Sequence, residues 1–201
     1  MNMCLTDMFV KHLNQKNMPG EKCLELMKTD LFQMKPMFFA IQAHNGQYRK
    51  GTKIPYIVHP FRVSMHIYWD GSIGYDLVPM QVALFHDILE DTEITDLSPG
   101  CLEGDAEEVT RIVQLITKKK GQTVRDYYDG IETSRIAKGV KLYDRIDNLR
   151  DEDKRKKPYR LQKRQIESTE ILLDITKDDN FTMPWKALKY LHEKNKEEAN
   201  E

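Results

Sequence analysis

The 201-residue sequence predicts an all-α fold, a helical bundle of roughly eight or nine helices. Three observations predict it. Apolar residues recur at helical spacing in segment after segment. Gly- and Pro-rich breaks separate those segments. No alternating run is longer than "PYIVH", and there is no internal repeat or heptad run.

Residues 3–15 suit a short helix stopped by "NMPG". Residues 31–44, "LFQMKPMFFAIQAH", place Phe38 and Ile41 among apolar residues at helical spacing, with Pro36 near the start. The next stretch, "NGQYRKGTKIPYIVHP", is interrupted by two glycines and two prolines and predicts a loop. Pro60 suits the first turn of a helix running to about Trp69, and "DGSIGYD" is a turn cluster. Pro79 opens a helix that ends in "ALFHDILEDT". Met80, Val82, Ala83, Leu84, Phe85, Ile88 and Leu89 make it apolar nearly all round, so it should be central and buried.

Residues 105–118 space Val109, Ile112, Val113 and Ile116 by 3, 1 and 3, one face of a helix. Residues 124–138 and 138–150 suggest two helices meeting near Gly139. The tract "DEDKRKKPYR" should be a solvated connection. Residues 160–175 and 183–195 then complete the chain as amphipathic helices, the last docking through Phe181, Trp185, Leu188 and Leu191. The final "EKNKEEANE" should fray.

One domain over residues 1–201 is the expectation for this length. Hydrophobic residues make up 40% and charged residues 31%, an ordinary soluble mixture. A net charge of −1 provides no global field toward nucleic acid or an acidic membrane, so an anionic ligand must be met by local basic residues. Cys4, Cys23 and Cys101 form no CxxC pair, which suits a reducing compartment. No apolar run approaches the roughly 18–20 residues of a membrane span. The N-terminus lacks the features of a signal peptide. The expectation is a cytoplasmic protein; nothing in the sequence specifies an oligomeric state.

Chemistry gathers at His59 in "PYIVHP", His86–Asp87 in "LFHD" and Asp144 in "VKLYDRIDNL". A lone histidine is more often an ordinary core or surface residue. Together, however, these side chains sit in apolar segments where an isolated charge is costly, and one shared cation would remove that cost. Two imidazoles and two carboxylates suit a borderline divalent metal such as Mn, Fe or Zn rather than Ca. The lack of sulfur argues against a structural zinc knot. Such a metal would acidify a bound water and polarise a phosphorus centre.

Glu90 follows His86 by four residues and Asp87 by three; Asp91 follows Asp87 by four. On a continuous helix that puts both carboxylates one turn beyond the ligands, placed to orient or deprotonate water. The plainer alternative, exposed acids at a helix C-terminus, runs against the macrodipole. Lys141, Asp144, Asn148 and Asp151 form a second row at spacings 3, 4 and 3, with Arg145 adjacent. This suits a nucleotide phosphate, against ordinary surface pairing. The loop residues Tyr48, Arg49, Lys50 and Lys53 form the best local anion clamp, against a merely solvated basic loop.

The strings "AHNGQYRKGTKIPYIVHP", "ALFHDILEDTEIT", "IVQLITK" and "VKLYDRIDNLRD" together resemble the hydrolase domain of RelA/SpoT enzymes, within the HD phosphohydrolase superfamily. The resemblance covers about residues 37–151, with residues 1–30 and 157–201 as helical extensions. It implies an HD-domain bundle and Mn²⁺-dependent removal of the 3′-pyrophosphate from the alarmone (p)ppGpp. It implies His59, His86, Asp87 and Asp144 as metal ligands and Glu90 and Asp91 as the pair activating water. Arg49, Lys50 and Asn148 would hold the nucleotide, and Lys141 also fits its family position.

The sequence departs from the family at Tyr143, where alanine is common, at Asp151, where threonine is frequent, and at "CLEGDAEEV". Tyr143 would reshape packing beside the metal. Without a synthetase segment after "DRIDNLRD", the chain resembles a stand-alone small alarmone hydrolase. Two alternatives stand beside this expectation. One is a phosphohydrolase acting on another nucleotide, such as an adenosine alarmone analogue or a nucleoside phosphate. The other is a nucleotide-binding, antitoxin-like module with a vestigial metal site, which the intact ligand set argues against.

Overall fold

The structure, a computed structural model, describes residues 34–71, 73, 77–102, 104–151 and 159–199. The expected helix at 3–15 and residues 152–158 of the charged tract lie outside them. Helices follow in the order α1 (Lys35–Ala43), α2 (Val58–Asp70), α3 (Leu77–Phe85), the single turn α4 (Ile88–Asp91), a 3-10 turn (Ser98–Gly100), α5 (Ala106–Ile116), α6 (Val124–Glu132), α7 (Arg135–Asp151), α8 (Tyr159–Thr176) and α9 (Thr182–Ala199). Among the described residues there is no strand, only an isolated antiparallel bridge between Tyr48 and Pro55 that pinches the loop before α2. Pro36–Glu201 make one compact unit.

The all-round apolar α3 lies at the centre, as its sequence predicts. Val82, Ala83 and Phe85 are fully buried, and the helix packs against α2, α5 and α7. The α5 stripe of Val109, Ile112, Val113 and Ile116 is buried to 1% exposure or less. Each such aliphatic side chain contributes about 1.5–3 kcal/mol of transfer free energy. A Thr123 cap on the Asp126 amide starts α6. Phe181 and Leu188 are buried where α9 meets α7 and α8, and Trp185 donates its indole N–H to the Leu173 carbonyl at 2.9 Å.

Three sequence expectations are corrected. First, the helix carrying "ALFHDILEDT" begins at Leu77, ahead of Pro79, and breaks at His86–Asp87 before resuming as α4. The His86 ring Nδ1 lies 2.7 Å from the Ala83 carbonyl, the acceptor that a continuing helix would give to the Asp87 amide. Second, α7 runs unbroken through Gly139. The chain turns instead at Thr133–Ser134, where Ser134 Oγ accepts from the Ala137 amide at 3.3 Å. The glycine serves packing: a Cβ there would stand 2.2 Å from Ile73 Cδ1.

The expected helix at 31–44 is α1, where Phe38 and Ile41 are 51% and 42% exposed. The buried residues of α1 are Pro36 and Ala40, and Phe39 packs edge-on to Phe85 with ring centroids 5.4 Å apart. Third, "EKNKEEANE" stays helical to Ala199, its last turns tied to α8 by a 2.7 Å Lys196–Glu170 ion pair.

Candidate metal centre

Three helical elements aim polar groups at one buried point. The start of α2 supplies His59, the α3–α4 break supplies His86 and Asp87, and the middle of α7 supplies Asp144. His59 Nε2 lies 3.2 Å from Asp144 Oδ1 and 3.6 Å from Asp87 Oδ2; His86 Nε2 lies 2.9 Å from Asp87 Oδ2 and 3.7 Å from Asp144 Oδ1. His59, His86 and Asp87 each present an atom within 4.8 Å of the others'. The four residues named from the sequence therefore converge.

The two Nε2 atoms are the telling ones. Both are buried and neither makes a well-formed hydrogen bond. Both Nδ1 atoms are occupied on the far side of their rings, His59's at 2.6 Å from Asp147 Oδ2 and His86's at the Ala83 carbonyl. An inward pair of uncommitted imidazole nitrogens facing two carboxylates fits a divalent cation. Burial pushes the His86 imidazolium toward neutrality, yet the Asp87 and Asp144 carboxylates outweigh this and raise its pKa to about 10. Burial likewise opposes ionisation of Asp144, but Lys141 and the two histidines hold its carboxyl far below the usual range. The two carboxylates thus stay ionised and hold a proton on His86 in the place a cation would take.

Lys141, one turn before Asp144, forms an ion pair with it inside the protein. Asn148, one turn after, donates its amide to Asp144 Oδ1 at 2.6 Å. The Asn148 carbonyl accepts from Arg49 Nη2 at 2.8 Å, and the Arg49 guanidinium stands 5.7 Å from the Tyr56 ring centre. The loop clamp and the α7 row thus meet at the rim. Lys50 and Lys53 are exposed in the loop beyond Arg49.

Glu90 and Asp91 are neighbours on α4, and their side chains take different partners. Glu90 Oε2 accepts from the Lys118 amide at 3.4 Å, on the side of the α5–α6 connection. Desolvation raises the pKa of its carboxyl, against the pull of the Lys118 amide and the Lys141 ammonium. Asp91 turns toward the loop. The Tyr56 hydroxyl shares its proton between Asp87 Oδ2 at 2.6 Å and Asp91 Oδ2 at 3.1 Å. Gln47 donates to the Asp91 carbonyl at 2.8 Å while its own carbonyl lies 2.8 Å from His44 Nδ1.

Arg145 leaves the row. Its guanidinium donates to Tyr128 Oη at 3.3 Å and Ser168 Oγ at 3.0 Å, lining a cavity of about 250 Å³ with Lys118 and Arg164. Asp151 closes α7, and its side chain lies outside the described residues. Tyr143 packs away from the cluster, stacked on His66 of α2 with ring centroids 5.6 Å apart. Thr92 hydrogen bonds back to the Ile88 carbonyl at 2.8 Å and accepts from the Ile94 amide at 3.1 Å, closing α4 rather than starting another helix.

Sequence reasoning missed Asp147 and Tyr56. For Asp147 the available signal was "DRID", a second acid one turn after a buried acid. For Tyr56 it was only proximity to His59.

No family model matches the chain. The chain is similar to a guanosine-3′,5′-bis(diphosphate) 3′-pyrophosphohydrolase of Aquifex aeolicus, 35% identical over 133 residues that make up 59% of this chain and 18% of that protein. It is similar to guanosine-3′,5′-bis(diphosphate) 3′-pyrophosphohydrolase MESH1 of Danio rerio, 35% identical over 119 residues, 56% of this chain and 64% of the relative. It therefore spans under two-thirds of the length of either. Among solved structures, a metazoan ortholog of SpoT that hydrolyzes ppGpp superimposes with a TM-score of 0.66 at 24% identity, covering 81% of this chain and 94% of that one. The all-helical fold is shared with that protein.

Proposed function

We propose that this protein is a metal-dependent hydrolase that removes the 3′-pyrophosphate from (p)ppGpp, giving GDP or GTP and pyrophosphate. One observation carries the reading: the buried, uncommitted Nε2 atoms of His59 and His86 facing Asp87 and Asp144, directly beside the Arg49–Asn148 pair. The similarity to proteins named for that reaction supports the choice of substrate.

His59, His86, Asp87 and Asp144 would hold the cation; the N/O donor set suits Mn, Fe or Zn, and Mn²⁺ is the ion the family resemblance implies. When bound, it supplies Lewis-acid stabilisation of charge building on a phosphoryl oxygen and makes water acidic enough to attack near neutral pH. The chain's own groups do the rest. Arg49 stacks on the base or forks onto phosphate oxygens, with Asn148 fixing its direction and Lys50 adding charge at the rim. Glu90, on the Lys118 side, takes the proton of the attacking water, and Asp91, on the Tyr56 side, helps to orient that water. As the phosphorus–ribose 3′-oxygen bond breaks, the proton held by Glu90 passes to that oxygen, and pyrophosphate leaves. The cavity lined by Lys118, Arg145 and Arg164 lies beyond Glu90 and offers positive charge to the remaining phosphates. Asp151 would join Lys141 and Asn148 on the substrate side, a role that rests on its spacing in the α7 row alone. Action in the cytoplasm fits this substrate.

The test is incubation of metal-stripped protein with ppGpp, with and without Mn²⁺, resolving the nucleotide products. Mn²⁺-dependent appearance of GDP and pyrophosphate is expected, and Asp87→Ala should abolish it. If ppGpp survives while simple nucleotides lose phosphate, the substrate assignment is wrong.

A further inference from the structure

The two candidate histidine ligands are anchored differently. His86 Nδ1 rests on a backbone carbonyl, that of Ala83. His59 Nδ1 rests on a side chain, Asp147, which comes from α7, 88 residues away in sequence. Asp147 is 3% exposed. Both of its oxygens are committed: Oδ2 lies 2.6 Å from His59 Nδ1 and 2.9 Å from Arg62 Nη2, and Oδ1 lies 2.8 Å from Arg62 Nε. Arg62 stands on α2, one turn after His59, so ring and clamp ride on the same helix.

An ionised carboxylate can only accept hydrogen bonds. With Arg62 Nη2 donating to Oδ2 and the guanidinium paired with the carboxylate, Asp147 is held as that acceptor. His59 Nδ1 must then be the donor, and its Nε2 is left bare toward Asp144 and Asp87.

We propose that Asp147, braced by Arg62, is a positioning residue that sets the tautomer and ring direction of His59 and thereby the cation affinity of the centre. The inference rests on the proposed metal centre but not on the identity of the substrate. A carboxylate behind a ligating imidazole strengthens it as a donor, and losing such a partner weakens metal affinity by about 10–100-fold. Arg62 keeps Asp147 from adding a third uncompensated negative charge beside Asp87 and Asp144, so the arrangement orients without overbinding.

The experiment uses ¹⁵N-histidine-labelled full-length protein and two readouts. NMR of the metal-free protein reports which His59 nitrogen carries the proton. Calorimetric titration with Mn²⁺ reports affinity. In the unsubstituted protein, a proton on Nδ1 of His59 is expected. Asp147→Ala should shift it toward Nε2 and weaken Mn²⁺ binding by about 10–100-fold. Asp147→Asn, whose amide oxygen still accepts, should retain most of both properties. Asp147→Ala that keeps the Nδ1 proton and full Mn²⁺ affinity overturns the inference. An Asn variant as impaired as the Ala variant also overturns it, since mere loss of charge or fold would then suffice. Should the unsubstituted protein bind no divalent cation, the proposed centre fails, while the His59 tautomer in the Ala variant still decides whether Asp147 positions the ring.

Discussion

Glu90 shows how one side chain's surroundings set its chemistry. Its carboxyl is raised above the usual glutamate range by desolvation, with Asp87 and Asp91 adding to the rise against Lys118 and Lys141. A base must be unprotonated to work, so turnover should fall on the acid side at a pH above the ordinary value of about 4.3. Glu90→Gln should lower kcat by about 10²–10⁴-fold and remove that acid limb from the pH profile, with Mn²⁺ still bound. A variant that loses the metal instead would make Glu90 a ligand.

Arg49 belongs to the same scale. Its charged hydrogen bond to Asn148 holds the guanidinium at the rim. Asn148→Ala should raise KM for ppGpp more than it lowers kcat, by up to about tenfold for one lost bond of about 1.5 kcal/mol. The four cluster residues were legible because each puts a costly group into an apolar segment. Asp147 was not, because its partner lies 88 residues away and only the folded chain pairs them.

At the scale of the element, periodicity located most helices well. α5, α8 and α9 lie close to where their apolar repeats place them. What it could not locate were breaks and continuities decided by tertiary contact. The α3–α4 break follows from the His86 ring taking a backbone acceptor, and Gly139 is glycine because Ile73 passes over it. Gly139→Ala should therefore destabilise despite alanine's better helix propensity, by about 1–3 kcal/mol of overpacking, read as a lowered Tm.

The α8–α9 seam carries a pH response. His192 is 5% exposed, and burial lowers its pKa against the opposing pull of Glu170. The unfolded chain then binds a proton near pH 6.5 that the folded chain resists. Stability is fully present above that value and falls as pH drops through it. His192→Leu should flatten the Tm decline between about pH 7.5 and 5.5 relative to the unsubstituted protein. An unchanged slope would place the titration elsewhere.

Across the whole molecule, the candidate centre ties together chain segments that the core also joins. His59, His86–Asp87 and Asp144 come from α2, the α3–α4 break and α7, and α3 packs directly on both α2 and α7. A cation bound there is a cross-link between distant parts of the sequence, present only in the folded state. Linkage then fixes the sign and the size of its effect. Mn²⁺ at a hundred times its dissociation constant should stabilise the fold by about 2.7 kcal/mol.

For a domain of this size that corresponds to a rise of roughly 2–4 °C in Tm per kcal/mol. Chelation should reverse it. Asp144→Ala should remove the response to Mn²⁺ and also lower the metal-free Tm, because it leaves Lys141 as a buried ammonium without its carboxylate. Asp87→Ala, whose carboxylate is less enclosed, should remove the Mn²⁺ response at a smaller metal-free cost. That contrast separates the two burdens the acids carry. If both variants lower the metal-free Tm equally, the Lys141 pair contributes nothing beyond the cation site, and the buried charge on α7 is neutralised by some other group.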